Sequence, residues 1–152
     1  MRGTTNVPEV SVIIRKGDDI LFVLREKTGY ADGFYALPGG HVEHGEAFSA
    51  AAVREALEEV NVKIHAADLK PVLSMHRLGR DADDVRAGIF FEALKWSGTP
   101  KNMEPERHRA LAWFKSSDLP FDKIMAFQVA GLQAIQRGDM YHELGWHEPH
   151  HK

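Results

Sequence analysis

The order of apolar and polar residues divides the chain into short segments. Residues 10–14 (VSVII) and 20–24 (ILFVL) are apolar, β-rich runs separated by Lys16-Gly17-Asp18-Asp19, which predicts a hairpin. Residues 28–34 hold two glycines and an aspartate and read as a loop, after which Tyr35-Ala36-Leu37 leads into Pro38-Gly39-Gly40. From 47 to 60 the chain is Ala-rich and free of Gly and Pro. There Val53, Ala56, Leu57 and Val60 recur at helical spacing, the pattern of a buried helix face. Asn61, tolerant of the left-handed conformation, is placed to end that helix. Strands are expected near residues 69–76, 87–94 and 110–114. A final helix over about 122–136 should bury Ile124, Phe127, Leu132 and Ile135 before Gly138 stops it. Strands with one helix among them and one at the end make an α+β arrangement, a mixed sheet between helices, rather than a βαβ alternation.

The bulk numbers narrow the classes. At 152 residues and 43% hydrophobic, residues 1–152 fit a single domain with a real core, with about 1–7 and 143–152 expected as flexible tails. No apolar run is long enough to cross a bilayer, and the opening MRGTTNVPEV lacks the apolar stretch of a signal peptide. Zero cysteines exclude disulfides and thiolate metal sites and suit a cytoplasmic protein. A net charge of −3 gives no reason to expect nucleic-acid binding. Arg77, Arg80 and Arg86 are interspersed with Asp81, Asp83 and Asp84 and make no basic patch. Among the nine histidines, His147, His150 and His151 read as a solvated tail. His65, His76, His108 and His142 are singletons without metal-ligand spacing, best read as surface or partly packed imidazoles.

The chemistry concentrates between Gly40 and Val62. Glu55, Glu58 and Glu59 are spaced to project together from the 47–60 helix, on the side opposite its apolar stripe. Alone they would pass for a solvated acidic face, with Arg54 pairing Glu58 one turn on. Converging carboxylates repel, and a hard divalent cation, Mg²⁺ or Mn²⁺, relieves that repulsion.

The stretch GHVEHGEAFSAAAVREALEEVNV resembles the Nudix box. Gly40, Glu46, Arg54-Glu55, the small apolar Ala56, Glu58-Glu59 and Val62 fall on its positions, and Leu37-Pro38-Gly39 matches the usual approach to it. Asn61 stands where the family normally has Gly. The segment 96–120, with an acidic loop, a strand and a closing Asp-Leu-Pro, is similar to the family's downstream region.

The resemblance implies a Nudix α/β/α sandwich and a Mg²⁺-dependent hydrolase (Mn²⁺ the alternative) that cleaves a diphosphate linkage in a nucleotide. It implies Gly39, through its carbonyl, and Glu55, Glu58 and Glu59 as metal ligands. Arg54 would orient the carboxylates and Glu46 would support Arg54 or a more loosely held ion. Gly39 and Gly40 would let the backbone approach metal and phosphates. The base would be a box Glu or an acidic residue of the later loop, with Glu104 preferred to Glu106. The partner is a small-molecule nucleotide: a nucleoside triphosphate, or in second place a nucleotide sugar or other nucleoside diphosphate derivative. An RNA 5′ end fits less well. The competing class is a Nudix fold kept as a non-catalytic ligand-binding module. No membrane partner is expected, and the assembly is a monomer or a homodimer.

Overall fold

The computed structural model describes residues 5–146. Strands β1 (Asn6–Ile13), β2 (Arg15–Lys16), β3 (Asp19–Arg25), β4 (Tyr35–Ala36) and β5 (Gly39–His41) precede helix α1 (Phe48–Val60). Strands β6 (Leu69–Leu78), β7 (Val85–Ala93) and β8 (His108–Lys115) follow, then helix α2 (Ala126–Gln136) and strand β9 (Tyr141–Leu144). The larger sheet runs β5-β1-β7-β6-β9. It is mixed, because β1 and β7 are parallel, as are β6 and β9, while the other neighbours are antiparallel. In the smaller sheet β3 pairs with β2, β4 and β8.

Strand alternation puts a core on each face of the larger sheet. Val10, Val12, Phe91 and Ala93 pack with Ala52, Ala56 and Val60 of α1. Ile13, Leu73 and Phe90 pack on the other side with Leu132 and Ala134 of α2. This is the α/β/α sandwich expected from the resemblance. It also explains why residues 10–14 read as a continuous apolar run: a strand covered on both faces has no solvent side to mark with polar residues. The single polar residue in that run, Ser11, lies within 3.4 Å of the Gln128 amide on α2.

Several expectations are corrected. The runs 10–14 and 20–24 are not two arms of one hairpin: the chain changes sheets at Ile14, and the hairpin is β2–β3. Helix α2 begins at Ala126, after a short 3₁₀ turn at Phe121–Lys123. The expected tails are partly built into the sheet. Asn6 and Val7 pair with Val85 and Arg86, Glu143 and Leu144 pair with His76 and Arg77, and the Trp146 indole N–H donates to the His76 carbonyl (2.8 Å). The terminal His147, His150 and His151 lie outside the described residues. No helix among the described residues is long and apolar enough to cross a membrane.

Candidate active site

Helix α1 is rotated relative to the expected amphipathic pattern. Its fully buried residues are Ala51, Ala52, Ala56 and Val60, whereas Leu57 is 43% exposed. Small alanines therefore face the sheet and let the helix sit close to β1 and β5. Glu55 and Glu59 emerge on the flank of that buried face rather than opposite it, and only Glu58 turns to solvent. The physical reason is size: helix–sheet contact here favours Ala over Leu, which a hydrophobicity pattern cannot rank.

The close approach explains the two glycines of β5. A Cβ on Gly39 would run into the Val10 backbone, and one on Gly40 would lie 2.6 Å from Glu55 Oε1. Gly39 N–H donates to Glu59 Oε2 (2.9 Å), joining strand and helix at the site. Arg54 organises the opposite rim. Its Nε and Nη2 hold the Glu46 carboxylate in a two-point contact (2.8 and 3.0 Å). Nη1 reaches Glu55 (3.0 Å) and Glu58 (3.2 Å), and Nη2 also meets the His41 carbonyl (3.1 Å). Charge-assisted bonds of this kind fix carboxylate orientation. They also hold Glu46 below its ordinary pKa and raise that of Arg54.

The loop after β7 carries a fourth carboxylate to the same place. Asn61 ends α1 at φ 60°, and its side-chain amide donates to the Thr99 carbonyl (3.0 Å). Lys101 N–H then bonds the Val60 carbonyl (2.9 Å) and Met103 N–H the Glu59 carbonyl (3.0 Å), so the loop is laced to the end of the helix. The Glu104 carbonyl accepts from both Arg107 N–H (2.9 Å) and His108 N–H (2.8 Å), a turn that folds His108 back beside Glu104. A register shift follows in β8, where Leu24 faces Ala110 but Arg25 faces His108. Bulges of this kind re-aim side chains. As a result Glu59, Glu104 and His108 each offer a ligand atom within 4.8 Å of the others.

These groups perturb one another. Burial, then the neighbouring carboxylates, pushes Glu59 well above its ordinary pKa. Glu55 and Glu104 are raised as well, by burial first. Burial together with Arg25 and Arg107 lowers His108 to about 4, so its imidazole is neutral at pH 7. Perturbed groups gathered in one cleft are a physical mark of a functional site.

The cleft is about 610 Å³, and the carboxylates occupy one end of it. It is lined as well by Arg25, Arg77, Arg80, Arg86, Tyr30 and Phe127. Arg77 is stacked on Phe127, with Cζ 3.9 Å from the ring centroid, and holds buried Glu9 through two bonds (2.9 and 3.2 Å). Arg86 bridges Glu9 (3.4 Å) and Asp84 (3.0 Å). Tyr30 has the guanidinium carbons of Arg25 and Arg80 at 5.8 and 5.2 Å from its ring centroid.

The family model described as the NUDIX domain matches residues 5–134, most of the chain. The chain belongs to the NUDIX family. It is, accordingly, a hydrolase acting on pyrophosphate bonds. Among solved structures it resembles the MutT NUDIX hydrolase from Burkholderia pseudomallei at 26% identity and TM-score 0.76, over 85% of this chain and 97% of that one. The E. coli ORF135 protein shares the fold at 21% identity and TM-score 0.73, over 88% and 91% of the two chains. The NUDIX domain of Shewanella oneidensis NrtR, solved with ADP ribose, does so at 17% identity and TM-score 0.68, over 89% and 88%.

In this Nudix chain, Gly39, Gly40, Arg54, Glu55, Glu58, Glu59 and Glu104 all line one cleft, with Glu46 held behind them by Arg54. Glu106 is exposed and does not line it. Two sequence readings are corrected. His108 is not a surface or loosely packed singleton: it is 3% exposed and faces the carboxylates. Arg77, Arg80 and Arg86 share the cleft wall with Arg25 and Arg107 despite the intervening aspartates, because β6, β7 and the turn between them bring them together. Sequence reasoning passed over Glu9, Arg25, Tyr30 and Gln128 entirely. The one signal for Glu9 and Gln128 was a charged or amide residue inside an otherwise apolar segment.

Proposed function

We propose that this chain is a Mg²⁺-dependent pyrophosphohydrolase of nucleoside triphosphates, releasing a nucleoside monophosphate. The observation that carries this reading is the convergence of Glu55, Glu59 and Glu104 in a cleft that is also lined by several arginines. The Glu59 carboxylate accepts one hydrogen bond, from Gly39, and among the described residues no cation is paired with it directly. Oxygen donors withdrawn from water and repelling one another have the chemistry of a hard divalent cation site. Glu55, Glu58, Glu59 and the Gly39 carbonyl would hold Mg²⁺, or Mn²⁺ in its place. When bound, the ion neutralises the diphosphate and makes water a stronger acid.

The chain's own residues do the remaining work. Arg54 keeps Glu55 and Glu58 oriented, with Glu46 locking Arg54 in turn. Glu104 takes a proton from water as its oxygen adds to phosphorus. The bond to the bridging oxygen then breaks, and its electron pair leaves with the departing phosphate. The raised proton affinity of Glu104 suits a general base. A box Glu is the alternative base. The arginines bind and turn the polyphosphate, and Tyr30 offers an exposed ring to a base. The proposal includes a cytoplasmic setting, in keeping with the cysteine-free chain, and a monomer or homodimer.

A second reading, a nucleotide sugar or another nucleoside diphosphate derivative as substrate, draws on the ADP ribose held by the S. oneidensis domain. A substrate panel with and without Mg²⁺ separates the two. The first reading expects nucleoside monophosphate and pyrophosphate from a triphosphate. Glu59→Gln should lower turnover by about two orders of magnitude or more, and Glu104→Gln should lower it far more than Glu106→Gln. Ligand binding without turnover of any panel member, with Glu59→Gln equal to wild type, would leave a binding module.

A further inference from the structure

We infer that His108 gives the cation site a nitrogen ligand, so that the site selects Mn²⁺ or Co²⁺ over Mg²⁺ more strongly than carboxylates and carbonyls alone would. This deepens the reading above and rests on the glutamate cluster holding a divalent cation.

Two independent observations meet here. Glu59 and Glu104 present carboxylate oxygens, and a ring nitrogen of His108 lies within 4.8 Å of both. Separately, His108 is 3% exposed and its Nδ1 has no hydrogen-bond partner, the one such buried side-chain atom among the described residues. An orphaned polar atom in the interior costs about 1–3 kcal/mol unless something satisfies it. The ring is set against Glu59, a proposed cation ligand that needs a counter-charge, and against Glu104. A cation held by Glu59 and bound through His108 Nδ1 would answer both requirements, with Glu104 beside it as base. Two donors on a common ion are separated by at most about twice the metal–ligand distance, roughly 4 Å. The observed separation therefore closes with a small side-chain adjustment.

The backbone holds the ring in place. His108 N–H bonds the Glu104 carbonyl (2.8 Å), the Asn102 amide bonds the His108 carbonyl (2.7 Å), and the bulge opposite Arg25 sets its direction. Selectivity follows from ligand type. Imidazole suits the transition ions and adds little for Mg²⁺, which prefers oxygen and retains its water.

The test is pulsed EPR of the full chain with substoichiometric Mn²⁺, together with calorimetric titration of Mn²⁺ and Mg²⁺. Wild type should show coupling of bound Mn²⁺ to a histidine ¹⁴N, and His108→Gln should lose it. Mn²⁺ affinity should fall roughly tenfold or more in that variant while Mg²⁺ affinity moves far less. Should His108→Gln fail to fold, a second sample keeps His108 but changes His41, His44, His147, His150 and His151 to Gln; coupling retained there supports the assignment, and its loss overturns it. Mn²⁺ bound without nitrogen coupling, or equal losses for both ions, overturns this inference and leaves the hydrolase reading standing. No divalent cation bound at all removes both.

Discussion

Glu59→Gln should make the metal-free protein more stable at neutral pH, although it removes a proposed metal ligand. Glu59 is half-buried, faces Glu55 and Glu104, and its carboxylate accepts one hydrogen bond from Gly39 N–H (2.9 Å). A Gln at this position keeps an oxygen for that bond and deletes the charge. The free energy released is that of an imperfectly countered buried charge, about 1–3 kcal/mol. For a domain of this size each kcal/mol moves the melting midpoint by about 2–4 °C. The pH dependence follows the same logic. Glu59 is raised above its ordinary 4.5 in the folded protein. Its favourable contribution is therefore complete below about 4.5 and is lost as pH rises through the folded-state value. The advantage of Gln over Glu should accordingly grow from pH 4.5 to neutrality. Thermal melts of both proteins in EDTA between pH 4.5 and 8, repeated with Mn²⁺, measure it. Added cation should stabilise wild type and leave the variant nearly unmoved. A variant that is less stable than wild type in EDTA at pH 7.5, or a difference that does not change with pH, would refute the assignment of Glu59 as a destabilising buried charge.

Three further outcomes are expected. Gly40→Ala brings a Cβ to 2.6 Å from Glu55 Oε1 and should cut turnover by more than tenfold through displacement of that carboxylate, with the melting midpoint nearly unchanged. Asn61→Gly keeps the left-handed helix end but loses the amide bond to Thr99, so urea titration should register about 0.5–1.5 kcal/mol, and amide exchange should rise in residues 99–104. Arg77→Ala leaves buried Glu9 only its longer contact with Arg86 (3.4 Å) and uncovers Phe127, a loss of about 1–3 kcal/mol in urea titration, part of it recovered when Glu9→Gln is added.

The helix 47–60, the loop before it and the three later strands were legible because each carries its own local signal. Helical spacing, Gly-Gly punctuation and β-rich runs are properties of contiguous residues. The spacing of Arg54, Glu55, Glu58 and Glu59 belongs to that class, which is why the box could be read from the chain alone. Which helix face is buried was misread at Leu57, because the deciding quantity was the separation between α1 and the sheet. Strand β9 was missed because four half-exposed residues carry little pattern, and their order comes from pairing with β6.

By itself, then, the sequence determined the glutamate helix, the glycines beside it and the family they belong to. Each is a matter of residues close along the chain, the whole box lying between Gly40 and Val62. Tertiary structure alone decided that Glu59 is half-buried while Glu58 is exposed, and that Arg77 and Arg86 meet at Glu9. It alone decided that His108, far along the chain, stands beside Glu59 and Glu104. The meeting at Glu9 depends on β7 pairing with both β1 and β6, and the place of His108 on the 99–108 loop being laced to the end of α1 and on one bulge in β8, contacts between residues that no local pattern connects.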